Sequence, residues 1–219
     1  MKIKERAFTL VELMIAMAVG LVLLAAVYSV FNLQNKELSK QEQIAVMQDN
    51  ARMAMEMMTR DITMAGYGPS TMARCTGTAM ATNAPCLGIT AANANSVSFT
   101  MDVTDDSETG VPDGDRDDPQ ENITYDVYTS DGVPALGRKS STTAYRMPVV
   151  EHVSALEFKY YTATGAATQA NETTNVASIR RIKISITTRT ANVDPSTGNY
   201  RTFTLTSIVT PRNLGISGF

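Results

Sequence analysis

From Leu13 to Phe31 the chain carries no charged residue, and from Leu21 to Ala65 it carries neither glycine nor proline. Together these two overlapping runs predict one long helix. An uncharged stretch of about 19 residues covers roughly 30 Å as α-helix, the thickness of a bilayer's hydrocarbon core. Without the two commonest helix breakers, the helix has no reason to stop where the apolar run ends. Further along, Ile44, Met47, Ala51, Ala54, Met58, Ile62 and Ala65 recur at steps of three and four, which places them on one face able to pack on a sheet. Arg52, Glu56 and Arg60 are spaced by four and predict weak surface pairs. Gly66, Gly68 and Pro69 predict the helix end.

Lys2, Lys4 and Arg6 precede the apolar run, so the positive-inside rule leaves the first residues in the cytoplasm and sends the bulk of the chain outward. A cleaved secretory signal would show an Ala-x-Ala-like site after its apolar region. Here the exit reads Tyr28-Ser29-Val30-Phe31-Asn32-Leu33 and stays helical, so the apolar segment is expected to be retained.

After Pro69 the pattern changes to period two, in Val97-Phe99-Met101-Val103, Ile123-Tyr125-Val127, Leu156-Phe158-Tyr160, Ile182-Ile184-Ile186 and Phe203-Leu205. These are half-buried strands. Asp194-Pro195 and Gly198-Asn199 fit a loop joining the last two as an antiparallel pair. Thr-, Ala- and Asn-rich segments at 71–95 and 162–175 read as exposed loops. The fold class is therefore α+β.

A net charge of −3 over 219 residues argues against a nucleic-acid binder, whose footprint is a basic excess. No Trp, one His and two Cys leave little to build a nucleophilic or transition-metal centre. No enzymatic activity and no small-molecule substrate are expected.

Arg6-Ala7-Phe8-Thr9-Leu10-Val11-Glu12-Leu13 resembles the processing motif of type IV prepilins. The resemblance implies that a dedicated peptidase cuts between Ala7 and Phe8 and methylates the new amino group of Phe8. Ala7 stands where the family usually has glycine. An ionised Glu12 inside an apolar segment is costly and needs a partner. In pilins the implied partner is the free amine of a neighbouring subunit, here that of Phe8, which makes Glu12 the assembly residue. The plainer reading is a tolerated glutamate reaching toward lipid headgroups. The segments 48–56 and 60–67 are similar to the helix exit of PilW-like minor pilins.

What the resemblance implies is a type IV pilin fold, with a long N-terminal helix packed on an antiparallel β-sheet. The expected divisions are a cytoplasmic leader (1–7), a membrane and filament-core helix (8–33), an amphipathic continuation (34–66) and an extracytoplasmic β-rich domain (67–219). The implied function is a minor pilin that helps to initiate a pilus and occupies its tip. Its implied partners are other minor pilins, the major pilin, the prepilin peptidase and the inner-membrane assembly platform. The expected location is the bacterial inner membrane and then the pilus at the cell surface. Two alternatives stand beside it: a J-class pseudopilin of type II secretion, and a tip adhesin or ligand or DNA receptor.

Cys75 and Cys86 are the two thiols, and an exported domain meets oxidising conditions in which they pair. Two free thiols are the rival reading. Asp113, Asp115, Asp117 and Asp118, preceded by Asp102, Asp105, Asp106 and Glu108, form an oxygen-rich loop of the kind calcium favours, with Asp113, Asp115 and Asp117 as the candidate ligands. The EF-hand pattern is incomplete and Arg116 interrupts it, so a solvated acidic loop is the plainer reading, and no cofactor other than calcium is expected. The helix methionines at 47, 53, 55, 57, 58 and 64 suit adaptable packing better than copper. His152 lacks a nucleophile-elbow motif nearby and reads as a strand or edge histidine. Period two puts Arg181 and Lys183 on the solvent face of their strand.

Overall fold

The computed structural model describes residues 9–69, 72, 75, 86–105, 110–115, 118, 120–140, 145–162 and 176–214. Ala7, Phe8 and Asp117 lie outside the described residues. The chain divides into two compact units, Met1–Ile44 and Ala45–Phe219, with the boundary inside a single helix. That helix, α1, runs over Leu10–Met64. Within one residue of the expected end it gives way at Gly66, whose φ of 79° supplies the left-handed turn that follows a helix. Gly68 is required for a second reason: at φ 144° a Cβ there would meet Leu87 Cδ1 at 2.6 Å.

Eight strands follow among the described residues: β1 (Gly88–Ala92), β2 (Val97–Thr100), β3 (Asn122–Ser130), β4 (Val133–Ser140), β5 (Arg146–Glu151), β6 (Val153–Thr162), β7 (Ile179–Arg189) and β8 (Thr202–Val209). One helix-backed antiparallel sheet was expected, and the strands form two: a five-stranded sheet in the order β1-β2-β3-β4-β5 and a three-stranded sheet β6-β7-β8. Every pairing is antiparallel.

The predicted helix face is the buried one. Met47, Ala51, Ala54, Met58, Ile62 and Ala65 are all buried, with Met55 beside them, while Ile44 is half-buried. Alanines and methionines share this face, which lets the helix approach the sheets closely while flexible thioethers fill the gaps. Ile123, Tyr125 and Phe99 of the larger sheet and Phe158, Tyr160, Ile182, Ile184 and Ile186 of the smaller join one core with it. The two sheets are also tied directly. Phe158 N donates to Ala94 O at 2.7 Å, and the Tyr160 hydroxyl donates to Asn93 O at 2.8 Å. Thr188 Oγ1 in turn donates to Met47 O at 2.9 Å, joining β7 to the helix. The β7–β8 connection is the expected loop, closed by Asp194 N to Asn199 O at 2.9 Å.

Two expectations shift in detail. Arg52 pairs with Asp49 at 3.3 Å rather than with Glu56, because a residue three positions away is as near on a helix surface as one four away. Met101 and Val103 fall beyond the end of β2. There the chain turns into the acidic connection, with Met101 N donating to Glu121 O at 2.9 Å.

Candidate functional site

The helix begins with a reciprocal cap. Thr9 Oγ1 accepts from Glu12 N at 3.3 Å, and Glu12 Oε2 accepts from Thr9 N at 2.9 Å and from Thr9 Oγ1 at 3.0 Å. This is a capping box, in which two otherwise orphaned backbone donors are satisfied across one turn. Glu12 thus has a local task beyond the one expected of it, and the Thr-x-x-Glu spacing carries the signal. The turns that follow are long and apolar enough to cross a membrane, and none of that stretch is buried. Ser29, in its second half, donates to Ala25 O at 2.9 Å, so its hydroxyl is bonded within the helix rather than presented to lipid.

In the folded unit, Cys75 and Cys86 form a disulfide with Sγ–Sγ 2.04 Å and Cα–Cα 4.9 Å. Closing a loop with a sequence separation of 11 contributes about 3 kcal/mol by restricting the unfolded chain. Cys75 N donates to Leu87 O at 3.0 Å, and Thr100 Oγ1 donates to Cys86 O at 2.6 Å. The bridge is thereby fixed to the start of β1 and the end of β2.

The acidic connection between β2 and β3 holds the densest charge. Asp113, Asp115 and Asp118 each bring a carboxylate oxygen within 4.8 Å of the others, and Asp118 is buried. Of the residues expected there, Asp113 and Asp115 do come together; the third described member is Asp118. Two further carboxylates stand beside them, one from the expected acidic run and one from outside it. Asp102 is fully buried, and its Oδ2 accepts from Gly114 N at 3.0 Å. Glu121 is also fully buried, and its Oε1 accepts from Val103 N at 2.8 Å and Thr104 N at 3.1 Å. Burial pushes the Asp102 carboxyl above its ordinary range, and the nearby Asp113 and Asp115 charges push the same way against the Gly114 bond. Burial likewise raises Glu121, with Asp102 adding to it. Asp102 is visible in the sequence as part of the acidic run, whereas Glu121 gives no signal because the loop's closure brings it in.

A different acidic centre lies where the helix meets the larger sheet. Asp61 of α1 accepts from Tyr125 Oη at 2.7 Å and from Arg138 Nε at 2.8 Å. Burial by itself would lower the Arg138 pKa, but the Asp61 hydrogen bond and charge outweigh it and the net shift is upward. Burial first, and then the Asp61 charge, hold the Tyr125 proton well above the usual phenol range. This trio clamps the helix to β3 and β4 as a satisfied network with no reactive group exposed.

The remaining candidates are structural. His152 sits between β5 and β6 at φ 61°, where its carbonyl accepts from Arg189 N at 2.8 Å. Met47, Met55 and Met58 are buried while Met53, Met57 and Met64 are exposed, so the thioethers do not converge. Arg181 is exposed and Lys183 half-buried, opposite buried Ile182 and Ile184. Arg181 lies over the Tyr161 ring at 5.8 Å.

No curated protein shows significant sequence similarity to this chain. Among solved structures, the type IV-like pilin TTHA1219 from Thermus thermophilus is similar at a TM-score of 0.41 and 10% identity, over 77% of this chain and 98% of that one, too distant a likeness to argue from. Residues 2–28 match the family described as "Prokaryotic N-terminal methylation motif", and the chain therefore carries a prepilin-type amino terminus.

Proposed function

We propose that this chain is a type IV pilin-class subunit, a minor pilin resembling the PilW-like group, which helps to start pilus assembly and occupies the pilus tip. One observation carries the reading. The methylation motif at residues 2–28 overlaps the helix Leu10–Met64, which is apolar and exposed in its first turns and buries one face against sheets at its end. A signal peptide that is removed has no use for such continuity. An anchor that also builds a filament does.

In this reading the peptidase cuts between Ala7 and Phe8, the Phe8 amine is methylated, and the apolar turns pass from the inner membrane into the filament core. Glu12 takes the Phe8 amine of the adjacent subunit as an additional partner, a charge-assisted contact strengthened by low-dielectric surroundings. Its Oε2 is already engaged with Thr9, so the carboxylate is held at the helix start rather than left to roam. The role is assembly, not turnover, with other pilins and the assembly platform as partners.

Deletion of the gene tests the function. Loss of pili supports the pilus role; retained pili with trapped exoproteins would move the chain to type II secretion, and normal pili with lost adhesion would make it a tip adhesin. Mass spectrometry of protein from native membranes tests the processing: a mature terminus at methylated Phe8 is expected, and one at Met1 would overturn it. Replacing Ala7→Gly should raise the processed fraction.

A further inference from the structure

We infer that the connection between β2 and β3 is a calcium site, with Asp113, Asp115 and Asp118 as its carboxylate ligands, Asp102 as a fourth oxygen donor and Glu121 as the residue that holds its frame. Three carboxylates lie within 4.8 Å of one another, and that alone describes many solvated loops. What separates this one is burial. Asp102 is 0% exposed, and its Oδ1 has no hydrogen-bond partner among the described residues. Its other oxygen is bonded to Gly114 N, the amide between Asp113 and Asp115, so the Asp102 carboxylate borders the group of three. A buried carboxylate oxygen without a donor is costly, and a cation beside it removes that cost.

Glu121 repeats the pattern from the other end of the loop. It is 0% exposed, Oε1 holds the Val103 and Thr104 amides, and Oε2 has no hydrogen-bond partner among the described residues. Its own amide donates to Asp118 O at 3.3 Å, which fixes where the Asp118 ligand stands. The donor set is made entirely of oxygens, which selects a hard cation. Carboxylates contributed by an irregular loop suit calcium, which accepts six to eight oxygens in flexible geometry, over magnesium, which demands a near-ideal octahedron. A bound ion would join the loop to the core next to the helix end, because Asp102 N donates to Tyr67 O at 2.9 Å.

The test is calorimetry of the full chain in detergent micelles, stripped with chelator and titrated with calcium chloride, alongside thermal melting. One saturable site is expected with a dissociation constant between about 0.1 and 1 mM, the range of extracellular modules, and a melting temperature that rises with calcium more than with equal magnesium. The double variant Asp113→Asn/Asp115→Asn removes exposed carboxylates and leaves the core intact. It should weaken calcium at least about tenfold and abolish the calcium-dependent rise in melting temperature. Asp102→Asn, which keeps an acceptor for Gly114, should weaken binding with an unchanged circular dichroism spectrum. No saturable heat up to about 10 mM calcium, or equal binding by the wild type and the folded double variant, would overturn the site. Wild-type affinity in Asp102→Asn would remove the buried donor that distinguishes it.

Discussion

Among the described residues, the acidic centres at Asp61 and at Asp102 and Glu121 solve the same problem in opposite ways. At Asp61 the carboxylate meets a guanidinium and a phenol, each within hydrogen-bond distance, and the charges balance inside the protein. At Asp102 and Glu121 the described partners are backbone amides, and the nearest described charges are other carboxylates. A buried charge stays in a fold only when something compensates it. The Asp61 centre is therefore complete within one chain, whereas the Asp102 centre gathers negative charge that an ion from solution would balance. The contrast separates a clamp from a binding site without appeal to any motif.

The largest effect should follow from breaking the clamp. Arg138 and Asp61 are 17% and 16% exposed, and Asp61→Ala would strand the guanidinium, at a cost of about 3–5 kcal/mol in chemical denaturation. The phenol would lose its acceptor in the same step, which spectrophotometric titration of Tyr125 reads as a fall in its pKa toward the ordinary range. A loss of under about 1 kcal/mol would mean that Arg138 finds water on its own.

Next in size is Cys75→Ser, expected to lower stability by about 3 kcal/mol in the same assay, with a matching loss when the wild type is reduced. The bridge is tied to the end of β2, where the acidic connection begins, so the loss should be the same in calcium and in chelator unless the two are coupled. The third expectation carries the opposite sign. In chelator, Asp115→Asn removes a like charge from the cluster and should raise stability by up to about 0.5 kcal/mol, whereas Asp61→Asn lowers it. Matching signs at the two centres would erase the distinction. The smallest effect is reserved for an exposed pair: Arg60 and Glu56 are 73% and 75% exposed at 3.1 Å, and Arg60→Ala should change stability by no more than about 0.5 kcal/mol.

Much of the fold is legible along the chain, for reasons tied to particular residues. Ile182, Ile184 and Ile186 alternate without interruption and mark β7, and the three-and-four spacing from Met47 to Ala65 marks the buried helix face. β4 and β5 are hidden by Pro134, Gly137 and Pro148, residues that weaken any strand pattern. They stand because β5 is an edge and because its register with β4 shifts between Leu136 and Gly137. The split into two sheets has no local signature, since it depends on where His152 turns the chain between β5 and β6. At the candidate sites, the disulfide and the Asp113–Asp115 pair are local and readable. The Asp61–Arg138 pair is separated by 77 positions and Glu121 by 18 from its Val103 amide, and only closure of the tertiary fold brings them together.

The loop between β7 and β8 has a consequence for the order in which the chain acquires its structure. Asp194 gathers Ser196 N at 2.9 Å and the Arg201 guanidinium at 2.9 and 2.7 Å, while its carbonyl accepts from Gly198 N at 2.8 Å. These partners all lie close by in the chain, Arg201 being the farthest at seven positions, so this knot forms without waiting for any distant segment, and hairpins of this kind close in about 1–10 μs. Docking the helix instead requires loops such as the one from Asp61 to Arg138, whose closure costs more entropy before any contact repays it. The carboxyl-terminal hairpin, like the β3–β4 hairpin, is thus expected to form before the helix docks in the unit Ala45–Phe219. The helix, first to leave the ribosome, must then wait for the strands made after it to supply its sheets.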